Sequence, residues 1–300
     1  MLISCGSDRQ PQDPPAKQTA ATRKATGELR DQLAEYLSTK KADVGIAIVA
    51  LEDGDTVSVN GDKFYSLMSV AKFPQALLLL HQIEASGRSL DTPIVFTPAD
   101  LTVRTGSTLR KDHPGASITL PLREALRYSI GQSDNITSNK FFEIEGGPSA
   151  VESYVHGLGI RDVSIVTDYR HLGQDAAHDN TGTPWAMVRL LEKFYRHQLI
   201  KDSAQALLWK LMVESTSGPD RLKGELGNAE VAHKTGTSGV DSTGAISATN
   251  DIGIVTLPDG RHFAIAVFVA NSRETPEETA AIIAHLCKTA WDYFATQQQR

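Results

Sequence analysis

Apolar residues recur at helical spacing through Glu28-Leu29-Arg30-Asp31-Gln32-Leu33-Ala34-Glu35-Tyr36-Leu37, then crowd into an unbroken run from Val44 to Leu51. The first pattern predicts a helix starting near Thr22 and the second a buried strand. The Asp53-Gly54 turn sends the chain back through Thr56-Val57-Ser58-Val59 as a hairpin partner. A second apolar run, Phe73 to Leu80, opens a long helical stretch, with further helices at Leu120 to Tyr128, Asn135 to Glu145, Pro148 to Gly157, Pro184 to His197 and Ser203 to Val213. Strand character returns in Glu230 to Thr237, Asn250 to Leu257 and His262 to Ala270, and a helix from Pro276 to Phe294 closes the chain. The pattern predicts an α+β fold: an antiparallel sheet of about five strands from both chain ends, flanked by the terminal helices, with a central helical lobe against it. In residues, a tether over 1–22 precedes a folded domain over 23–300, whose sheet lobe takes 23–65 and 215–300 and whose helical lobe takes 66–214.

Composition narrows what such a fold can do. With 300 residues, 40% of them hydrophobic, the chain can bury a large core. A net charge of -6 with no basic stripe argues against nucleic acid as a partner and for a small molecule or peptide. The two cysteines, Cys5 and Cys287, have no zinc-site spacing, and the nine histidines form no His-x-His or His-x-x-x-His pair, so neither a metal nor another cofactor is expected. Leu2-Ile3-Ser4-Cys5-Gly6 resembles the end of a bacterial lipoprotein signal, which makes Cys5 a lipidation candidate; a chance cysteine in an unstructured leader is the competing reading. Ser7 to Thr22, rich in Pro, Gln, Asp and Lys, reads as a tether, and no segment is apolar and long enough to span a membrane.

Candidate chemistry begins at Tyr65-Ser66-Leu67-Met68-Ser69-Val70-Ala71-Lys72-Phe73-Pro74. On a helix Ser69 and Lys72 stand at i and i+3, about 5–6 Å apart at Cβ. A lysine kept from water near other cations loses its proton and can take the one leaving a serine. Ser-x-x-Lys alone is weak: Ser38-Thr39-Lys40-Lys41 is a second match, read as a solvated helix end. Ser133-Asp134-Asn135, in the polar turn before an apolar helix, offers a second hydroxyl and an amide, or simply a helix N-cap. His233-Lys234-Thr235-Gly236-Thr237-Ser238-Gly239 ends a strand. Lys234 supplies a positive charge for a substrate carboxylate, Thr235 and Thr237 add hydroxyls, and Gly236 lets a ligand lie against the strand; a charged strand end is the plainer reading.

Ser-x-x-Lys, Ser-Asp-Asn and Lys-Thr-Gly in this order are the signature set of class A β-lactamases and penicillin-binding proteins. From roughly Thr22 onward the sequence resembles class A serine β-lactamases, with Gly218-Pro219-Asp220-Arg221-Leu222-Lys223-Gly224 and Thr249-Asn250-Asp251-Ile252-Gly253 as further matching segments. The resemblance implies the two-lobed serine β-lactamase and transpeptidase-like architecture. It implies Ser69 as acylated nucleophile, Lys72 as proton acceptor or relay and Ser133 as proton donor to the leaving nitrogen. Asn135 would bind the substrate amide, Lys234, Thr235 and Thr237 its carboxylate, and Ser238 would shape the pocket. The backbone N–H groups of Ser69 and Thr237 would form the oxyanion hole.

The chain departs from the family in the loop after Gly159, where class A enzymes carry a glutamate that activates the deacylating water. Residues 159–184 contain no glutamate. The family position falls near Tyr169 when aligned from the start of the loop and near Thr167 when aligned from its end, leaving Asp168 as the carboxylate close to both, either a replacement catalytic base or a surface loop residue. Three functions therefore follow in order: a β-lactam hydrolase working through an acyl-serine, a peptidase on D-Ala-D-Ala ends of cell-wall peptides, and a binding protein that acylates without turnover. A lipidated Cys5 would place the domain in a periplasm, tethered to a membrane. A monomer is the default expectation.

Overall fold

The computed structural model describes residues 20–115, 117–171 and 179–297, with side chains from residue 26 onward. Cys5, most of the expected tether and Asp175 lie outside them. Helix α1 (Ala20–Ser38) leads into strands β1 (Asp43–Ala50), β2 (Thr56–Val59) and the short β3 (Tyr65–Ser66). A 3₁₀ turn, Met68–Ala71, runs into α2 (Lys72–Ala85). Next come β4 (Pro93–Phe96), α3 (Pro98–Leu101), α4 (Thr108–Asp112), β5 (Ile118–Pro121) and α5 (Leu122–Leu126), the last continued by a π turn over Arg127–Gly131. Helices α6 (Asn135–Glu145) and α7 (Pro148–Gly157), strands β6 (Val163–Ser164) and β7 (Thr181–Gly182), and helices α8 (Pro184–Tyr195) and α9 (Asp202–Val213) follow. Strands β8 (Val231–Thr237), β9 (Ile246–Thr256) and β10 (His262–Ser272) and helix α10 (Pro276–Thr296) end the chain.

The main sheet is antiparallel, in the order β2-β1-β10-β9-β8. Two of its central strands, β1 and β10, are largely apolar runs because both faces are covered. Along β10, Phe263, Ile265, Val267 and Val269 pack toward α1 and α10, while Ala264, Ala266 and Phe268 face the core built on α2 and α8. That alternation is the two-residue period of a strand applied to two cores. β8 is an edge strand, so its outer side is free to meet other groups.

Two local readings change. The helix expected over Leu120 to Tyr128 starts only at Leu122; Ile118–Pro121 pairs with Pro93–Phe96 as a small hairpin. Pro121, at φ -62° and ψ 149°, ends that strand and is the N-cap of α5. Ser69 and Lys72 do not share one α-helix either: Ser69 lies in the 3₁₀ turn and Lys72 begins α2. The expected proximity survives because i and i+3 eclipse in a 3₁₀ turn.

Candidate active site

Three segments meet at the edge of β8. The first is the 3₁₀ turn, entered through Met68 in the left-handed region at φ 49°. Its fit against the sheet needs Gly236: a Cβ there would stand 2.6 Å from the Leu67 carbonyl and 3.2 Å from the Ser69 amide nitrogen. Asn250 on β9 locks the join, its Nδ2 donating to the carbonyl of Ser66 at 2.7 Å. The second segment is the turn before α6, with Ser133 at φ 57°. Asp134 is the N-cap, its carboxylate accepting from Thr137 N at 2.9 Å, Leu109 N at 2.9 Å and Ser107 Oγ at 2.6 Å. The cap reading of Ser133-Asp134-Asn135 thus holds, the cap also anchors the loop bearing α4, and Ser133 and Asn135 line the cleft.

Lys72 sits at the centre with 0% exposure. Its Nζ lies 3.0 Å from Ser69 Oγ, 2.7 Å from the Ser133 carbonyl oxygen, 2.5 Å from Asn135 Oδ1 and 3.4 Å from Ser133 Oγ. Burial, then the charge of Lys234, hold its amine well below the usual lysine range, against an opposing pull from Asp134. From the other side Lys234, also fully buried, reaches Ser133 Oγ at 3.0 Å and the Thr235 carbonyl at 2.9 Å. Burial brings its pKa down to about 7, with Asp251 pulling it up and Arg221 pushing it further down. Ser133 Oγ thus joins two lysines.

The cleft these groups border has a volume of about 330 Å³ and is lined by Ser69, Ser133, Asn135, Thr235 and Thr237 among others. Asn135 Nδ2 donates to Thr105 Oγ1 at 2.9 Å, and Thr235 Oγ1 shares a 2.6 Å hydrogen bond with Ser217 Oγ. Ser238 stands apart from this group: its Oγ accepts from Ala248 N at 2.6 Å, and it lines the neighbouring groove beside Val240 and Pro276. Asp168 does too. Its carboxylate accepts from Arg170 N at 2.9 Å and Arg170 Nη1 at 3.0 Å and lies 2.9 Å from His171 Nδ1. Among the described residues no hydrogen bond joins it to Ser69, Lys72 or Ser133.

Other residues at the site were not singled out by pattern. The Tyr169 ring centroid is 4.2 Å from Lys72 Nζ, and Tyr169 N donates to Asn139 Oδ1 at 2.9 Å. Arg221 donates to the Gly236 and Asn250 carbonyls at 2.9 and 2.8 Å and to Thr237 Oγ1 at 2.7 Å, which fixes that hydroxyl. Asn180 accepts from Val166 N and Thr167 N through Oδ1, while its carbonyl takes Leu67 N at 2.8 Å, tying Val166 and Thr167 to the turn that bears Ser69. Arg221 had a visible signal, the segment Gly218 to Gly224. Tyr169 was marked only as a position where the family's glutamate could fall, and Asn139 and Asn180 had no signal, because each acts through a partner remote in sequence.

Among curated proteins, the chain is 35% identical to the extended-spectrum β-lactamase PER-1 of Pseudomonas aeruginosa, over 88% of this chain and 87% of that protein. It is 36% identical to β-lactamase VEB-1 of the same organism, over 90% and 91%. Among solved structures, the TLA-1 extended-spectrum β-lactamase superposes with a TM-score of 0.88 at 37% identity, covering 90% of this chain and 99% of that one. A class A β-lactamase from Bacteroides cellulosilyticus gives 0.87 at 35%, covering 91% and 99%. A family model described as the β-lactamase enzyme family matches residues 28–294. With its fold, its three motifs gathered at one cleft and these likenesses, the chain belongs to the β-lactamase enzyme family, in its class A serine branch.

Proposed function

We propose that the chain hydrolyses β-lactams through an acyl-serine formed on Ser69, and the observation that carries this is Lys72 Nζ at 3.0 Å from Ser69 Oγ inside a buried site. Burial and the charge of Lys234 favour the neutral amine of Lys72, which accepts the Ser69 proton as Oγ attacks the ring carbonyl. Ser133 Oγ, in reach of both lysines, returns a proton to the leaving nitrogen. The backbone N–H groups of Ser69 and Thr237 receive the oxyanion. Lys234, with the hydroxyls of Thr235 and Thr237, holds the substrate carboxylate, and Arg221 keeps the Thr237 hydroxyl in place. Asn135, on the cleft wall, takes the amide side chain. No metal enters this route.

Because PER-1 and TLA-1 are named extended-spectrum enzymes, the test uses a cephalosporin beside a penicillin. Intact-mass spectrometry is run over time alongside substrate loss. A transient adduct on Ser69 that clears as substrate disappears supports the reading, and an adduct persisting for hours moves the chain to the peptidase or binding-protein reading. Ser69→Ala must abolish labelling; an unchanged acylation rate would remove Ser69 from the site. A lipid on Cys5 would tether the domain at the periplasmic face of a membrane. Labelling of the precursor with a radioactive fatty acid tests that, an unlabelled product counting against it.

A further inference from the structure

The neighbours of Lys72 decide where its hydrogens point. The Ser133 carbonyl oxygen at 2.7 Å and Asn135 Oδ1 at 2.5 Å can only accept. A neutral amine has two N–H groups and one lone pair, so when both hydrogens point there the lone pair is left toward Ser69 Oγ, 3.0 Å away, and can take its hydrogen. Once Ser69 is acylated, Oγ carries no hydrogen and that lone pair loses its Ser69 partner, with the Ser133 hydroxyl 3.4 Å away. Among the described residues, the remaining side of Lys72 meets a ring rather than a carboxylate. Tyr169 is buried, its backbone held by Asn139 and its hydroxyl 3.4 Å from the Met68 carbonyl. Burial pushes the phenol further up, so it supplies no base. Asp168, next to it, is turned to Arg170 and His171.

We infer that Lys72 is the base for deacylation as well as for acylation, and that Tyr169 is the residue that positions it for the second step. The inference rests on the acyl-serine route above. A water in the cleft attacks the ester carbonyl carbon and its proton passes to Lys72 Nζ. The tetrahedral intermediate then collapses, the bond from carbon to Oγ breaks, and Nζ returns the proton to Ser69 Oγ. The ammonium formed in between lies against the Tyr169 π face, which favours a cation. The charged groups facing Lys72 are Lys234 from β8, which disfavours that ammonium, and Asp134 ahead of α6, which favours it.

The test separates the two half-reactions in the full protein. Acylation by a penicillin is timed by rapid quench and intact mass, and adduct decay is followed after a jump to each pH. One base predicts one acid limb shared by both rates. Tyr169→Leu should move both limbs together to lower pH by roughly one unit, whereas Tyr169→Phe, which keeps the π face, should leave them in place. Asp168→Asn and Asp175→Asn should each leave adduct decay within about threefold of the parent, far from the hundredfold loss expected on removing a general base. A hundredfold slowing of decay in either Asn variant, with acylation unchanged, would overturn the proposal, as would a Tyr169→Leu protein in which only one limb moves. Should Tyr169→Leu fail to fold, the two Asn variants still decide. A parent protein that forms no adduct at all would instead refute the acyl-serine reading beneath it.

Discussion

At the scale of single residues the proposed route asks two buried lysines for different charge states. Lys72 must be neutral to accept a proton, while Lys234 must be charged to hold a carboxylate. Its pKa of about 7 in the free protein puts the second requirement at risk in a physiological range. The sign follows directly: Lys234 is protonated below that value and loses its charge as pH rises through it. A bound carboxylate draws its pKa up. Hence kcat/KM for a carboxylate-bearing β-lactam should fall as pH rises through about 7, while kcat holds to higher pH, a split read from initial rates at saturating and limiting substrate. Lys234→Arg, which cannot deprotonate, should flatten the alkaline limb of kcat/KM even if the longer side chain lowers its plateau. A backbone contact sets the other prediction at this scale. Gly236→Ala drives a Cβ to 2.6 Å from the Leu67 carbonyl, so the nucleophile turn must move. A displacement of about 1 Å at reacting atoms costs roughly a hundredfold, which acylation rates measured by intact mass would register.

At the scale of elements, α6 borders the cleft at one end and strains stability at the other. Its N-terminus is held by Asp134, which also grips Ser107 and Leu109. Asp134→Ala should cost about 1–3 kcal/mol, the loss of a cap plus stranded partners, and should slow acylation because Ser133 and Asn135 lose their anchor. At the C-terminus Glu145 is buried, and burial raises its carboxyl well above the usual range against weaker pulls from Gln75 and the Leu79 backbone. A carboxyl whose folded pKa lies above its unfolded one makes the fold less stable as pH rises past about 4.5. Glu145→Gln should therefore raise Tm near neutrality and do little near pH 4, with thermal melts at both pH values as the check; equal shifts at both would reject the charge explanation. This same helix was legible to the residue: Ser133-Asp134-Asn135 marks its start, and Gly146, left-handed at φ 97°, its end. The β4–β5 hairpin was not, since its two four-residue strands are separated by α3 and α4 and expose part of each strand. The opening of β9 was missed for a related reason. Ser247 to Thr249 reads as small and polar, and its pairing with β10 on one side and Thr237 on the other makes it a strand. Of the site, the residues carrying short motifs could be read directly, whereas Tyr169 depends on Asn139, 30 residues away. No local pattern encodes that.

At the scale of the whole molecule, the sheet and the helices around it cannot be separated without taking the site apart. β1 pairs with β10 from Asp43↔Ala270 to Ala50↔Phe263, so the sheet closes only when both chain ends are in place. The nucleophile turn is held from the sheet side by Gly236 and Asn250 and from the loop side by Asn180, whose carbonyl accepts from Leu67 N. Ser133, reached by Lys72 from one side and Lys234 from the other, ties the turn before α6 to the edge strand. The core on the helical side also runs without a break from Phe73 and Phe194 into Ala264, Ala266 and Phe268 of β10. With hydrogen bonds and packing both crossing the junction, neither part has a surface on which to remain folded alone. Heating should give a single cooperative transition, in which loss of far-UV signal and loss of covalent labelling by a penicillin coincide. Asn250→Ala removes the 2.7 Å bond to Ser66 O while leaving both cores intact, so it is the change best placed to part the two probes. If labelling in that variant fails several degrees before the secondary structure, the junction is the weakest part of the fold. If the unaltered protein already melts in two steps, the cooperative account is wrong.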